Sequence, residues 1–387
     1  MLNPVTTETP GGLAGHWSSP TLPMVERLCH CTAMDRIDAR TIDEAECVAS
    51  VLLAILFAHL LHASNVSWAA FSGYMVMRGH AAETVMRGAL RIVGTVAGGV
   101  LALAATPWLL PAWPAQAGAL ALVGTASLYG AVAAKRAYAW LFFGLTFVMV
   151  VLDKVAHPLN PLAGFVETRV LEVVAGTVAC MIVSLASTYT LRRRWPAARA
   201  RPAQGQGWHP LAFRHAAQGG AALVVLSALG TRWDLPALAQ SAITVMAVML
   251  VPVTSLGARG LASVNRRILY RFLGCAAGAA LAALFVLVAQ GSAPILILGT
   301  IAGVALGRHI ENGGTPFAYV GTQFVLAILI ILVPDSYAHA HLGPAWERLA
   351  GIFIGMAVLE PVLLLWHLAS PGGPGKAGME KGELGDL

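Results

Sequence analysis

Residues 86–99, MRGALRIVGTVAGG, and residues 266–279, RRILYRFLGCAAGA, repeat one another at a constant offset of 180. Arg87 matches Arg267, Arg91 matches Arg271, Gly94 matches Gly274 and Gly98 matches Gly278. The spacings of 4, 3 and 4 place all of these positions along one face of a helix. Everything downstream of each stripe is apolar, so each stripe enters a membrane helix. The chain must therefore fold as a duplicated bundle that carries two arginines into each half, an arrangement suited to handling an anion.

Composition supports the membrane reading. The chain is 57% hydrophobic and 11% charged, where a soluble chain carries about 25% charged residues. The mean hydropathy is +0.70. Its apolar runs are long enough to cross a bilayer, which takes about 20 residues per helix. The fold class read from the sequence is all-α, a polytopic bundle of about 12 transmembrane helices in two parallel six-helix repeats. Spans are expected near 46–62, 66–78, 87–107, 115–133, 138–153 and 169–190, then near 211–230, 236–254, 267–289, 293–307, 317–334 and 348–369. Residues 1–45 read as a cytoplasmic tail without the apolar core of a signal peptide, residues 46–191 as the first repeat, 192–210 as a basic cytoplasmic linker, 211–369 as the second repeat and 370–387 as a disordered tail.

Charge orients this layout. With both termini cytoplasmic, the inner loops hold Arg78, Arg87, Lys135, Arg136, Arg192, Arg193, Arg194, Arg199, Arg201, Arg259, Arg266, Arg267 and Arg308, while the outer flanks hold only Lys154, Arg169, Arg232 and Arg348. Trp108, Trp113, Trp233 and Trp346 fall at the outer edges as an aromatic belt. An even number of spans per half makes the repeats parallel, related by an axis along the membrane normal. The net charge of +6 follows from these loops, so no nucleic-acid partner is inferred. A second match joins the halves: Arg169 precedes Gly176 by seven residues, and Arg348 precedes Gly355 by seven.

The order SWAAFSGYMVM, RGALRIVGTVAGG and ETRVLEVVAG, followed by QSAITVMAVMLVP, RRILYRFLGCAAG, FAYVGTQFVLAILIILVPDS and WERLAGIFIG, resembles the fusaric acid resistance protein-like family, which includes aromatic acid exporters. The resemblance covers roughly residues 45–368. It implies efflux of aromatic or other organic carboxylic acids across a bacterial inner membrane, with a periplasmic membrane-fusion adaptor as a possible partner. A more distant likeness to plant aluminium-activated malate transporters implies that one chain corresponds to a dimer of six-span subunits, with basic residues lining the anion path. The larger exporters carry a sizeable cytoplasmic domain between the halves, and this chain has only the short linker.

The candidate substrate-binding residues are Arg87, Arg91, Arg267 and Arg271, whose permanently charged planar forks match a carboxylate. Such arginines also serve as topology anchors and lipid-phosphate contacts. Glu360, twelve residues after Arg348, is the candidate proton-coupling group; the alternative is a structural pair or an edge position beside Pro361. Glu172 is expected to pair with Arg169. His59, His62 and His215 are weaker proton-relay candidates. Trp68, Phe71, Tyr74, Trp140, Phe317 and Tyr319 are available to stack on an aromatic substrate. Cys47, Cys180 and Cys275 read as small packing residues, and Cys29-His30-Cys31 fits no standard zinc spacing, so no metal or other cofactor is assigned. There is no Walker loop, HExxH or nucleophile elbow, so the chain is not read as an enzyme and transport would run on a gradient. The leading reading is a proton-driven exporter. A passive organic-anion channel and a non-transporting scaffold are the alternatives, and homo-oligomerisation stays open.

Overall fold

A computed structural model describes residues 38–197, 207–256, 260–337 and 343–369, except residues 234, 236 and 336. Cys29-His30-Cys31, residues 1–37 and 370–387 of the tails, residues 198–206 of the linker and the Arg348 side chain lie outside the described residues. The described residues form α-helices and no strand: α1 Ala39–Leu60, α2 Val66–Val76, α3 Ala81–Leu109, α4 Trp113–Ala133, α5 Ala137–Ala156, α6 Leu162–Tyr189, α7 Leu191–Arg194, α8 Pro210–Arg232, α9 Leu238–Val248, α10 Gly260–Ala289, α11 Ala293–Glu311, α12 Ala318–Leu332 and α13 Gly343–Leu368. Of these, α3, α4, α5, α6, α10, α11 and the Leu349–Leu368 part of α13 are long and apolar enough to cross a membrane. Leu122, Val100, Leu284, Leu287, Leu298 and Leu365 are exposed on this bundle, a surface that suits lipid and not water. The chain is a multi-pass membrane protein.

Each expected apolar run lies on a helix, but the edges differ. α1, α3 and α10 start six or seven residues earlier than expected, because a helix continues through a polar first turn that an apolar window excludes, and α6 and α13 start seven and five residues earlier, ahead of Arg169 and Arg348. α9 stops at Val248 instead of 254, ahead of Pro252, whose ring cannot continue a helix. Pro114 and Pro294, at an offset of 180, each open a helix at its first turn, where a missing N–H costs nothing. The linker was expected to begin as a loop at 192. Instead α7 adds a helical turn, and the Arg192 guanidinium is buried against Glu46 at 2.6 Å.

Packing recurs when each helix label is raised by seven. α1 packs on α2 and α6, as α8 packs on α9 and α13. α3 packs on α5 and α6, as α10 packs on α12 and α13. α4 packs on α5, as α11 packs on α12. The contacts that cross between halves follow the same rule: α1 with α11 and α8 with α4, α2 with α12 and α9 with α5. The halves interlock. One apolar cluster combines Leu120, Leu128 and Phe147 with Leu223, Leu226, Met246 and Leu359, and another combines Val51 and Val76 with Leu296, Ile328 and Leu329.

The two outer seams differ in chemistry. Between α4 and α8 the contact is close and almost apolar: a Cβ on Gly124 would lie 2.6 Å from Leu223, and one on Gly220 would lie 2.3 Å from Thr125. Between α1 and α11 the seam is charged. Arg308 grips Asp43 with Nε at 2.6 Å from one oxygen and Nη2 at 3.1 Å from the other, and Asn312 donates to Asp43 at 2.6 Å. Glu311 accepts from the Tyr74 hydroxyl. Both Arg308 and Asp43 are buried, so Asp43→Asn would leave the guanidinium with Glu311, at 3.4 Å, in place of two carboxylates. The expected loss is about 3–5 kcal/mol of stability, read from unfolding in detergent. An unaltered midpoint for Asp43→Asn would show that the pair carries no stability.

Candidate functional site

The duplicated arginines occupy two cages built alike. Arg91 projects from α3 toward α2 and α5 and is 1% exposed. Its Nη2 donates to the Ser72 hydroxyl at 3.0 Å and its Nη1 to the Tyr138 hydroxyl at 3.1 Å. The Phe142 ring covers the guanidinium face at 3.9 Å. Arg271 projects from α10 toward α9 and α12 and is also 1% exposed. Its Nη2 donates to the Thr244 hydroxyl at 3.2 Å and its Nη1 to the Gln323 side-chain oxygen at 2.6 Å. Ser72 and Thr244 stand 172 apart, and Phe142 and Gln323 stand 181 apart, so the second cage replaces a ring with an amide.

Arg87 and Arg267 sit one turn nearer the ends of α3 and α10 that carry the basic loops. Arg87 Nε donates to the Met75 carbonyl at 3.1 Å and Arg267 Nε to the Ala247 carbonyl at 3.2 Å, again 172 apart. Their guanidinium groups lie over the Tyr138 ring at 3.8 Å and the Tyr319 ring at 3.9 Å. Each arginine therefore closes an open carbonyl near the end of a short helix. The contacts of each pair stay within its own half, so the structure shows two separate pairs.

The partners of Arg91 and Arg271 are neutral, and among the described residues no carboxylate forms an ion pair with either. The Nε of each is buried without a hydrogen-bond partner. An uncompensated guanidinium in a low-dielectric interior is costly, and an orphan donor adds to that cost. Such a site favours a negative charge brought from outside.

Close approach makes the cages possible. A Cβ on Gly94 would lie 2.4 Å from the Ala139 carbonyl oxygen, and one on Gly274 would lie 2.5 Å from that of Val320. α3 thus lies directly against the backbone of α5, and α10 against that of α12. The Arg169–Gly176 and Arg348–Gly355 match also has a packing counterpart. Gly176 meets Ala69 and Ser72 of α2, and Gly355 meets Ser241 and Thr244 of α9.

α2 and α9 are 11 residues each, about 16 Å long, against a hydrocarbon core of about 30 Å. Short segments in corresponding positions of two repeats mark a binding region in transporters. Both begin at a cavity of about 670 Å³, lined also by the ends of α5 and α12, by α6 and by Glu347 of α13. This cavity lies at the end of the bundle away from Arg87 and Arg267. Arg169 lines it and is 7% exposed, with its guanidinium 3.9 Å from the Trp68 ring and 3.1 Å from Glu172. The expected Arg169–Glu172 pair is present, and its arginine also lines the cavity. The sequence places Arg169 on an outer flank and pairs it with Glu172; its match to Gly176, two turns along the same helix face, is the feature that sets it apart. Asp153, Asp335 and Glu347 also line the cavity. Asp335 accepts from the Val66 N–H at 2.8 Å, which ties the end of α12 to the start of α2. Burial raises the Asp335 carboxyl above its ordinary range, and the Val66 N–H opposes that shift.

Glu360 is elsewhere. It accepts from Asn265 at 3.0 Å and lines a groove between α10 and α13 with Ile268, Leu269, Phe272, Phe353 and Met356. Its Oε2 is buried with no hydrogen-bond partner. His215 is buried, with Nε2 2.8 Å from the Met249 carbonyl oxygen, and His59 lies beside the Tyr337 ring. His62 sits in a left-handed turn after α1. Of the aromatic candidates, Trp68 meets Arg169, Phe71 meets Arg91 and Tyr319 meets Arg267; Tyr74 binds Glu311, while Trp140 and Phe317 are exposed. Cys47, Cys180 and Cys275 are buried and in no disulfide among the described residues. Among the described residues no cluster of metal-ligating side chains is present.

No curated protein matches the chain, and no solved structure does. The sequence profile described as fusaric acid resistance protein-like matches residues 53–199 and 244–359. The matched segments contain both arginine cages, both glycine contacts and the first helix turn of the cavity wall at Arg169. A duplicated pair of caged arginines in a multi-pass helical bundle and a profile that spans most of that bundle lead to one assignment: the chain belongs to the fusaric acid resistance protein-like family.

Proposed function

We propose that this chain exports aromatic or other organic carboxylic acids across a bacterial inner membrane. Its twelve spans form two parallel six-helix repeats, bounded at 46–191 and 211–369, with both termini cytoplasmic. The substrate moves along the seam between α2, α5, α9 and α12, drawn by Arg91 and Arg271 with Arg87 and Arg267 at the cytoplasmic side. The observation that carries this reading is the pair of fully buried guanidinium groups with neutral partners and an orphan Nε each. The family membership supports transport, and its name supports an acid as cargo. A membrane-fusion adaptor and a second copy of the chain are candidate partners.

Proton coupling is assigned to Glu360, whose unpartnered Oε2 is free to take a proton. The second reading is a passive anion channel. It draws support from the groove of Glu360, which holds apolar side chains and Asn265 but none of the arginines. The two separate in proteoliposomes loaded with p-hydroxybenzoate or fusaric acid and held at fixed voltage. A coupled exporter moves the acid uphill when a pH gradient is imposed, and Glu360→Gln abolishes that component. Movement only down the acid's own electrochemical gradient, unaltered in Glu360→Gln, would establish the channel.

A further inference from the structure

The cavity at the start of α2 and α9 is not lined as a simple anion funnel. One guanidinium, that of Arg169, faces three carboxylates, those of Asp153, Asp335 and Glu347, and His157 is the other titratable group in the wall. The Val66 N–H engages Oδ1 of Asp335 at 2.8 Å, and His157 lies 3.3 Å from Oδ1 of Asp153. Those contacts use one oxygen of each carboxylate. Arg169 is nearly fully buried, fixed against Trp68 on its face and by Glu172 at its edge, with Phe165 close by. A guanidinium held rigidly at a cavity wall loses little freedom when it takes a carboxylate. At about 670 Å³ the cavity is in the range of small-molecule sites, and its wall includes Ala237, a non-glycine residue held at φ 54°.

Arg169 already holds Glu172 at 3.1 Å, so a plain carboxylate shares that guanidinium and is repelled by the three wall carboxylates as well as by Glu172. A plain amine has the opposite difficulty. A ligand that carries a carboxylate at one end of an aromatic frame and an ammonium at the other meets a partner at both ends.

We infer that this cavity is a binding site for zwitterionic aromatic acids. The carboxylate binds Arg169, the ring lies against Trp68 and Phe165, and the ammonium lies among Asp153, Asp335 and Glu347. The inference deepens the transport reading and rests on it for the claim that this site belongs to the path. Among the organic acids the path carries, it gives preference to those that also carry a basic nitrogen. The deeper arginine cages hold no acid partner, so the carboxylate is the end that leads into the seam.

Equilibrium binding to the purified full chain in detergent tests this, with three probes of one shape: 4-(aminomethyl)benzoate, 4-methylbenzoate and benzylamine. The wild-type protein should bind the zwitterion at least about tenfold more tightly than either singly charged probe, as one added charge-assisted contact provides. Arg169→Gln should weaken the zwitterion by about tenfold or more. Asp153→Asn with Asp335→Asn should bring the zwitterion and 4-methylbenzoate to within about threefold of each other, a gap of about 0.65 kcal/mol. Equal or tighter binding of 4-methylbenzoate or benzylamine by wild type, or no binding of any probe, would overturn the inference without recourse to a variant. Transport is scored separately in proteoliposomes. If 4-methylbenzoate is carried while the zwitterion is not preferred, the transport reading stands and this inference falls. If the zwitterion is preferred and nothing is carried, the site stands and the transport reading falls.

Discussion

Arg91→Gln with Arg271→Gln is expected to reduce carboxylate flux by about a hundredfold or more while leaving the protein as stable as before. Each guanidinium loses a charge-assisted contact to the passing acid, worth about 1.5–3 kcal/mol, or about ten- to a hundredfold per site. The stability half of the expectation has the opposite sign from that of an ordinary buried arginine. Among the described residues neither guanidinium has a carboxylate partner, so glutamine removes a desolvated charge and keeps hydrogen-bonding capacity for Ser72, Tyr138, Thr244 and Gln323. A purely structural role would show as a falling unfolding midpoint together with the falling flux. Arg91→Lys keeps the charge but not the planar fork, and should recover only part of the rate. The measurements are initial flux per reconstituted protein and the midpoint of unfolding in detergent.

The second large effect belongs to the glycines that set the cages. Gly94→Val and Gly274→Val each place a side chain where the Cβ alone already lies 2.4 Å and 2.5 Å from a carbonyl oxygen of the facing helix. The obstacle is backbone, so no rotamer relieves it. α3 must part from α5, or α10 from α12, and each substitution should cost about 3 kcal/mol or more, at the upper end for overpacking. The displaced helix also draws Arg91 away from Tyr138, or Arg271 away from Gln323, so flux should fall even in the folded fraction. Because the two contacts are near-copies, the two single variants should be destabilised to a similar extent. A tolerated Gly94→Val beside a disrupted Gly274→Val would mean that the halves do not carry equivalent loads.

Much of this was legible in the chain. The offset of 180 between the arginine–glycine stripes anticipated equivalent contacts, because a repeated face on one helix demands a repeated partner. Those partners, Ser72 with Thr244 and Tyr138 with Tyr319, were not legible, since they lie at offsets of 172 and 181 on helices whose own sequences have diverged. Helix starts were placed late wherever a polar turn preceded the apolar run, as at Ala39 and Gly260. The cavity was hidden for a different reason. Its wall is assembled from six helices far apart in sequence, and its charges read individually as residues of loops and helix ends. Arg169 carried a hint in its spacing to Gly176. Asp153 and Asp335 carried none, since the carboxylates meet only when α5 and α12 end at one cavity. The charged seam was equally invisible, because Asp43 and Arg308 lie 265 residues apart.

The central claim is that an organic anion crosses at these arginines because of its charge. The most direct test compares p-hydroxybenzoate with p-hydroxybenzamide, a neutral molecule of nearly the same shape, in proteoliposomes of the wild-type protein against protein-free liposomes. Protein-dependent movement of the acid, with the amide no faster than in empty liposomes, is the outcome expected from two buried guanidinium groups that lack a counter-ion. Equal protein-dependent movement of both, or of neither, would contradict it.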